Sequence, residues 1–140
     1  SAFAGAPAAR AHCGVSTKLI GVVSAHATAY RDSFRARRAI ESPATTRLAD
    51  GMACRTPVPG SLEVILREAD DVITVTDDEV AEAMRVLFSD THNVAEGAGA
   101  AALAGALQQK ERWRGQTVGV ALSGGNVDAD MFAGVLGRSA

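Results

Sequence analysis

The sequence predicts an α/β fold in which a parallel sheet carries helices on both faces. Three observations point there. Two apolar runs, 18–23 and 117–122, are almost continuously hydrophobic rather than alternating, as strands covered on both sides are. Segments of helical periodicity stand between them, so strands and helices alternate and right-handed crossovers follow. The length of 140 residues suits one domain, and a hydrophobic content of 47% fills a core. Because 28 of the residues are alanine, that core depends on close helix packing.

Each element has its own grounds. An opening helix should hold Pro7 in its first turn, where a missing amide costs little, and should end at Gly14. Cys13 falls on its apolar face and is expected in the core. No strand feeds this helix, which suggests that a preceding strand and turn have been cut away. The run 18–23 follows as a buried strand. A helix over 27–39 turns Tyr30 and Phe34 inward and Arg31, Arg35 and Arg38 outward. The stretch 41–60 has no period and contains Pro57 and Pro59, so it should be a long excursion over one sheet edge. Leu62, Ile65 and Leu66 mark a short helix, and 72–75, with polar Thr74, reads as a short or edge strand. Thr76 and Glu79 form a capping box that opens a helix over about 77–90, with Val80, Met84, Leu87 and Phe88 on one stripe. A helix built of small residues runs from about 97 or 98 to 112. The run 117–122 is the second buried strand, and 130–136 forms a terminal helix.

Composition excludes several classes. A net charge of −2 argues against a dedicated nucleic-acid binder, and 21% charged residues against a charged disordered tail. Cys13 and Cys54 have no CxxC spacing, and His12, His26 and His92 share no ligand spacing, so neither a disulfide framework nor a metal site is expected. No apolar run approaches the roughly 20 residues of a membrane span, and the first residues lack the features of a signal peptide. The expectation is a cytoplasmic chain with no membrane or nucleic-acid partner.

Single motifs leave alternatives open. Ser-Gly-Gly-Asn at 123–126 follows an expected strand, where open α/β sheets bind ligands, but it is equally good chemistry for a strand-to-helix turn. Gly-Ala-Gly-Ala-Ala-Ala at 97–102 loosely matches a dinucleotide fingerprint, yet no strand precedes it and no acid follows at the required distance. Small-residue helix packing accounts for it better. Asp50 and Gly51 alone are a turn signal. Glu96 stands where helix amides favour a carboxylate, as a site residue or as a simple cap.

In order, four segments carry a resemblance. Leu-Ala-Asp-Gly-Met-Ala at 48–53, Asp-Val-Ile-Thr-Val-Thr-Asp-Asp-Glu-Val at 71–80, Val-Ala-Glu-Gly-Ala-Gly-Ala-Ala-Ala-Leu at 94–103 and Leu-Ser-Gly-Gly-Asn-Val at 122–127 closely resemble the C-terminal half of threonine dehydratases. These are fold-type-II pyridoxal-phosphate enzymes of the tryptophan-synthase-β type, a group that includes serine dehydratase and serine racemase. The resemblance covers nearly the whole chain. It implies that residues 1–140 form the C-terminal portion of an incomplete, cofactor-binding large domain, with pyridoxal 5'-phosphate as the cofactor of the full-length enzyme.

The resemblance also implies roles. Ser123 would donate a hydrogen bond to the pyridine nitrogen, with Gly124 beside it. A hydroxyl does not hold that nitrogen protonated, so the ring is a weaker electron sink and elimination of a β-hydroxyl is favoured. Glu96 matches a Glu near the ring edge, followed here by Gly97 where the family usually has Pro. Gly51 matches a glycine that lines the cofactor pocket. The family's Gly-rich phosphate loop would end just before Ser1, with the opening helix aiming its positive end at the phosphate. The Schiff-base lysine lies in the family's N-terminal half, and neither Lys18 nor Lys110 matches it. The chain is therefore expected to hold no catalytic residue and to be inactive alone. No carboxylate stands in 23–29, where serine racemase-like members bind a divalent cation, and nothing resembles an appended regulatory domain.

The expected activity of the whole enzyme is dehydration and deamination of L-threonine or L-serine to a 2-oxo acid and ammonia, in a homo-oligomer completed by the missing N-terminal half. Two alternatives stand beside it. One is a dehydratase for another β-hydroxy amino acid, such as a hydroxyectoine-pathway intermediate; the other is a non-catalytic α/β binding module.

Overall fold

A computed structural model describes residues 2–137. Its elements run α1 (Ala2–Cys13), β1 (Ile20–Ser24), α2 (Ala29–Ala36), a 3-10 turn (Asp50–Met52), α3 (Pro59–Glu68), β2 (Asp71–Val75), α4 (Asp77–Thr91), α5 (Gly97–Gln108) and α6 (Ala129–Leu136). The two strands pair in parallel, from Ile20 opposite Asp71 to Ser24 opposite Val75. Bonds from the Asp70 amide to the Leu19 carbonyl (2.9 Å) and from the Ala25 amide to the Val75 carbonyl (2.7 Å) extend the ladder at both ends.

Helices lie on both faces, as expected. Val22 and Ile73 share one face and meet α5 at Gly105, where a Cβ would come within 3.0 Å of Val22 and 3.1 Å of Ile73. Gly21 and Val72 point the other way. There α2 packs on β2 and α3 packs on α2. The main core joins β2, α4, α5 and α6 through Val75, Val80, Met84, Ala100, Ala101, Ala104 and Val135. Alanines on α5 let α4 approach closely. Of the expected α4 stripe, Val80 and Met84 are fully buried, whereas Phe88 sits at the margin, edge-on to Phe132 with centroids 5.5 Å apart.

Several expectations are corrected. The segment 117–122 is not a strand: among the described residues it pairs with no neighbour, and Val118, Val120 and Leu122 are 46%, 44% and 41% exposed. Apolar content makes a segment competent for a sheet, but the ladder needs an adjacent strand to accept its amides. By contrast, 72–75 does form the short strand expected: it is β2, an edge of the two-stranded ladder, with Val72 and Val75 buried. Pro7 lies well inside α1 rather than in its first turn; its ring is buried, so packing has fixed its position. Cys13 is exposed rather than in the core, because α1 buries little beyond Pro7. Gly14 does close α1: with φ +62° it lets its own amide reach the Ala11 carbonyl and the Val15 amide reach the Arg10 carbonyl. The ends of α2 and α5 fall short of the expected 39 and 112, and Arg37 stops α2 in a left-handed conformation at φ 57°.

The capping box of α4 is complete. The Glu79 amide donates to Thr76 Oγ1 (3.2 Å) and the Thr76 amide donates to Glu79 Oε2 (2.7 Å). Burial works to raise the Glu79 pKa. Bonds from the Thr76 amide, the Gln108 amide group and the Thr76 hydroxyl outweigh it and hold the carboxyl below the usual carboxylate range. A depressed native pKa gives stability that is present above the unfolded-state value, about 4.3, and lost as pH falls through the lower native value. Glu79→Gln, which keeps a capping acceptor but loses the charge, should therefore cost about 0.3–1 kcal/mol at pH 7. It should also flatten the acid-side loss of stability, read by denaturant unfolding from pH 7 to 3.

Candidate functional site

Three segments meet at the N-terminus of α5: the turn around 48–51, the first turn of α5 itself, and the Gly-Gly loop at 123–126. Their contacts are made by backbone. A Cβ on Gly97 would collide with the Leu48 carbonyl, and one on Gly99 would collide with the Gly124 carbonyl. A Cβ on Gly51 would stand 2.9 Å from the Ala98 Cβ. Only residues without side chains allow this approach. The Glu96 amide fastens the loop by donating to the Gly124 carbonyl at 3.1 Å.

Glu96 does not cap the helix with its side chain. It occupies the N-cap position of α5, but its side chain makes no capping bond. Its carboxylate instead lies against Gly124, filling the space that a Cβ there would need. Sequence left cap and site residue open; the backbone of Glu96 does cap the helix, and its side chain is directed to the loop instead.

The turn that carries Gly51 is held from outside. Asp77, the first residue of α4, accepts from Thr46 Oγ1 at 2.7 Å and from the Arg47 amide at 3.0 Å. Thr46 Oγ1 in turn accepts from the Ala49 amide at 3.1 Å. Burial acts to raise the Asp77 pKa, but the Arg47 amide, the Thr46 hydroxyl, the nearby His26 and the Leu48 amide outweigh it and depress it.

A cleft of about 520 Å³ opens beside these segments, lined by Asp50, Gly51, Glu96, Gly97 and Asn126 among others. Of the expected site residues, Gly51 and Glu96 line it and Gly124 packs directly behind Glu96. Ser123 lies at the start of the same loop, exposed, just outside the lining. Among the described residues no hydrogen bond occupies its hydroxyl. Arg47, Asp128 and Met131 also line the cleft and were not expected. No local signal marks them, because they arrive from the aperiodic excursion and from α6. A second cleft, about 810 Å³, lies between α4 and α6 and holds none of the expected residues. Lys18 and Lys110 are exposed, and neither lines either cleft.

Residues 2–124 match the family described as pyridoxal-phosphate dependent enzyme. The chain belongs to this family. Its relatives include L-threonine ammonia-lyase of Thermotoga maritima, 31% identical over 121 residues that make up 86% of this chain and 30% of that protein. L-threo-3-hydroxyaspartate ammonia-lyase of Pseudomonas sp is 35% identical over 97 residues, 69% of this chain and 30% of its own. Among solved structures, the T.th. threonine deaminase superposes with a TM-score of 0.82 at 31% identity, covering 90% of this chain and 46% of that one. The chain thus spans less than a third of these two curated relatives and forms a partial domain of the fold-type-II architecture. The family's cofactor is pyridoxal phosphate.

The glycine contacts make a direct prediction. Gly99→Ala must displace the Gly124 carbonyl and should lower stability by about 1–3 kcal/mol. Gly134→Ala, with no atom within 4 Å of the added carbon, should be neutral or stabilising because it lies inside α6. Chemical unfolding of the two variants separates these outcomes.

Proposed function

We propose that this chain is the C-terminal part of a pyridoxal-phosphate-dependent ammonia-lyase that eliminates the β-hydroxyl of L-threonine or L-serine as water, the resulting enamine tautomerising to an imine that takes up water again to give a 2-oxo acid and ammonia. One observation carries the reading: Gly51 and Glu96, which the threonine dehydratase pattern places around the cofactor, come from distant segments and line one cleft, with Gly124 of a third segment packed against the Glu96 carboxylate. Relatives named for threonine deamination support the substrate class.

The residues present fit one wall of such a pocket. Gly51, Gly97 and Glu96 line the cleft, and Ser123, exposed and with no hydrogen bond to its hydroxyl among the described residues, begins the loop that supplies Asn126 to that lining. Pyridoxal phosphate, when bound, supplies an electron sink for the charge that develops at the substrate Cα. In this reading Ser123 donates its proton to the ring nitrogen without transferring it, and so orients the ring while leaving that nitrogen uncharged. Glu96 and Gly51 border the ring, and the packing of Gly97 and Gly99 keeps the wall dry. In this reading the amine that anchors the cofactor and moves the Cα proton belongs to the rest of the enzyme, since neither Lys18 nor Lys110 lines the cleft. The exposed face of Val118, Val120 and Leu122 is where those further elements pack, and the complete enzyme self-associates and works in the cytoplasm.

A second substrate reading has one specific support. The relative named for L-threo-3-hydroxyaspartate is 35% identical to this chain, against 31% for that of Thermotoga maritima, though over 69% of the chain rather than 86%. Another β-hydroxy amino acid therefore fits the same wall.

In the complete enzyme, Ser123→Ala should weaken cofactor affinity about tenfold, as loss of one hydrogen bond to a polar ring atom does, with no change in melting temperature. Fluorescence titration with pyridoxal phosphate measures it; wild-type affinity in the variant removes Ser123 from the site. The 140-residue chain alone should deaminate neither threonine nor serine, and turnover by it would overturn the placing of the amine elsewhere.

A further inference from the structure

We infer that Asp77 is a positioning residue for the cofactor wall: its carboxylate, gripping Thr46 and Arg47 from the first turn of α4, sets where Gly51 stands opposite Glu96. The inference rests on the reading of Gly51 as a border of the cofactor.

Between α2 and α3 the only regular element is the 3-10 turn Asp50–Met52. A stretch with so little internal bonding takes its place from side chains that reach it. Its outer parts are tied by the Ser42 amide on the Arg55 carbonyl (3.0 Å) and the Thr45 amide on the His26 carbonyl (2.8 Å). Neither bond reaches the turn itself. Asp77 does, through a short relay. One oxygen accepts the Thr46 hydroxyl proton and the other the Arg47 amide, across sequence separations of 31 and 30 residues. The same Thr46 oxygen accepts from the Ala49 amide, and the Ala49 carbonyl accepts from the Met52 amide at 2.9 Å, closing the turn that holds Gly51. Beyond it Gly51 and Leu48 press on Ala98 and Gly97 at the foot of α5.

Residue type matters here. Two donors converge on one side chain, so it must present two acceptor oxygens and no competing proton, which a carboxylate does and an amide does not. Its charge strengthens both bonds and is favoured by the first-turn amides of α4. Asp78, its neighbour in the same turn, makes no such bond among the described residues. It is the internal control for helix charge alone.

The experiment uses the complete enzyme with pyridoxal phosphate as the probe. Cofactor affinity is measured by fluorescence, and opening of the turn by hydrogen exchange at the Ala49 and Met52 amides. Asp77→Asn and Thr46→Val should each weaken cofactor affinity about tenfold and speed exchange at both amides. Together they should do no more than either alone, because both cut the same relay. Thr46→Ser, which keeps the hydroxyl, should restore both readings, and Asp78→Asn should change neither. Faster exchange with unchanged affinity in Asp77→Asn and Thr46→Val would overturn the inference, as would an equal loss of affinity in Asp78→Asn. A Gly51→Ala variant separates this failure from that of the site. If Gly51→Ala weakens the cofactor and Asp77→Asn does not, only the positioning role falls. If neither does, the wall itself has been misassigned and the inference falls with it.

Discussion

Backbone lying on backbone, with no side chain between, is the constraint on which the site depends. At Gly97 and Gly99 the first turn of α5 meets the Leu48 and Gly124 carbonyls at distances that no Cβ would permit. The same helix must lie flat on the sheet at Gly105 and against α4 along Ala100, Ala101 and Ala104. One run of small residues therefore serves two purposes. Its C-terminal part brings α5 close to β1 and β2, and its N-terminal part brings two loops close to each other. Enlarging a residue at either end would move the helix, and with it the opposite contact, because packed interiors transmit displacement rather than absorb it.

That double duty explains why the small-residue run is easy to misread. Gly-Ala-Gly-Ala-Ala-Ala looks like a phosphate-binding turn when taken alone, yet no strand feeds it and its glycines face protein backbone. The preference for helix packing over nucleotide binding was legible in sequence from the missing strand alone. Glu96 was only half legible. Its position before a helix permits a cap or a site residue, and the choice depends on Gly124, 28 places later, which no local pattern links to it.

Elements defined by near-neighbour chemistry were well anticipated. The Thr76–Glu79 box and the Gly14 stop depend on atoms a few residues apart, so the sequence contains everything that decides them. Pro7 and Cys13 were misplaced for the opposite reason. Their environment depends on how much of α1 is covered, and that is settled by contacts with α3 rather than by α1 itself. The excursion between α2 and α3 was legible as an excursion but not in its path. Its anchor, Asp77, belongs to a helix-capping region where an acid already has a sufficient local explanation. A residue with two functions shows only one of them to pattern analysis.

The segment 117–122 gives the last step. Its hydrophobic pattern is that of a central strand, while its side chains are open and its backbone has no ladder partner among the described residues. Pattern and environment agree at β1 and β2, so this disagreement does not arise from a general failure of periodicity. Val118, Val120 and Leu122 alternate along the sequence, a spacing that would put them on one face of a strand, but here Thr117, Gly119 and Ala121, which alternate with them, are exposed too. Exposed apolar faces of this kind mark contact surfaces. This one leads straight into Ser123 and the loop that touches Glu96. Whatever covers the strand-like segment must therefore also approach the rim of the cleft. The open segment and the cleft lining thus meet through one loop, Gly124 standing against Glu96.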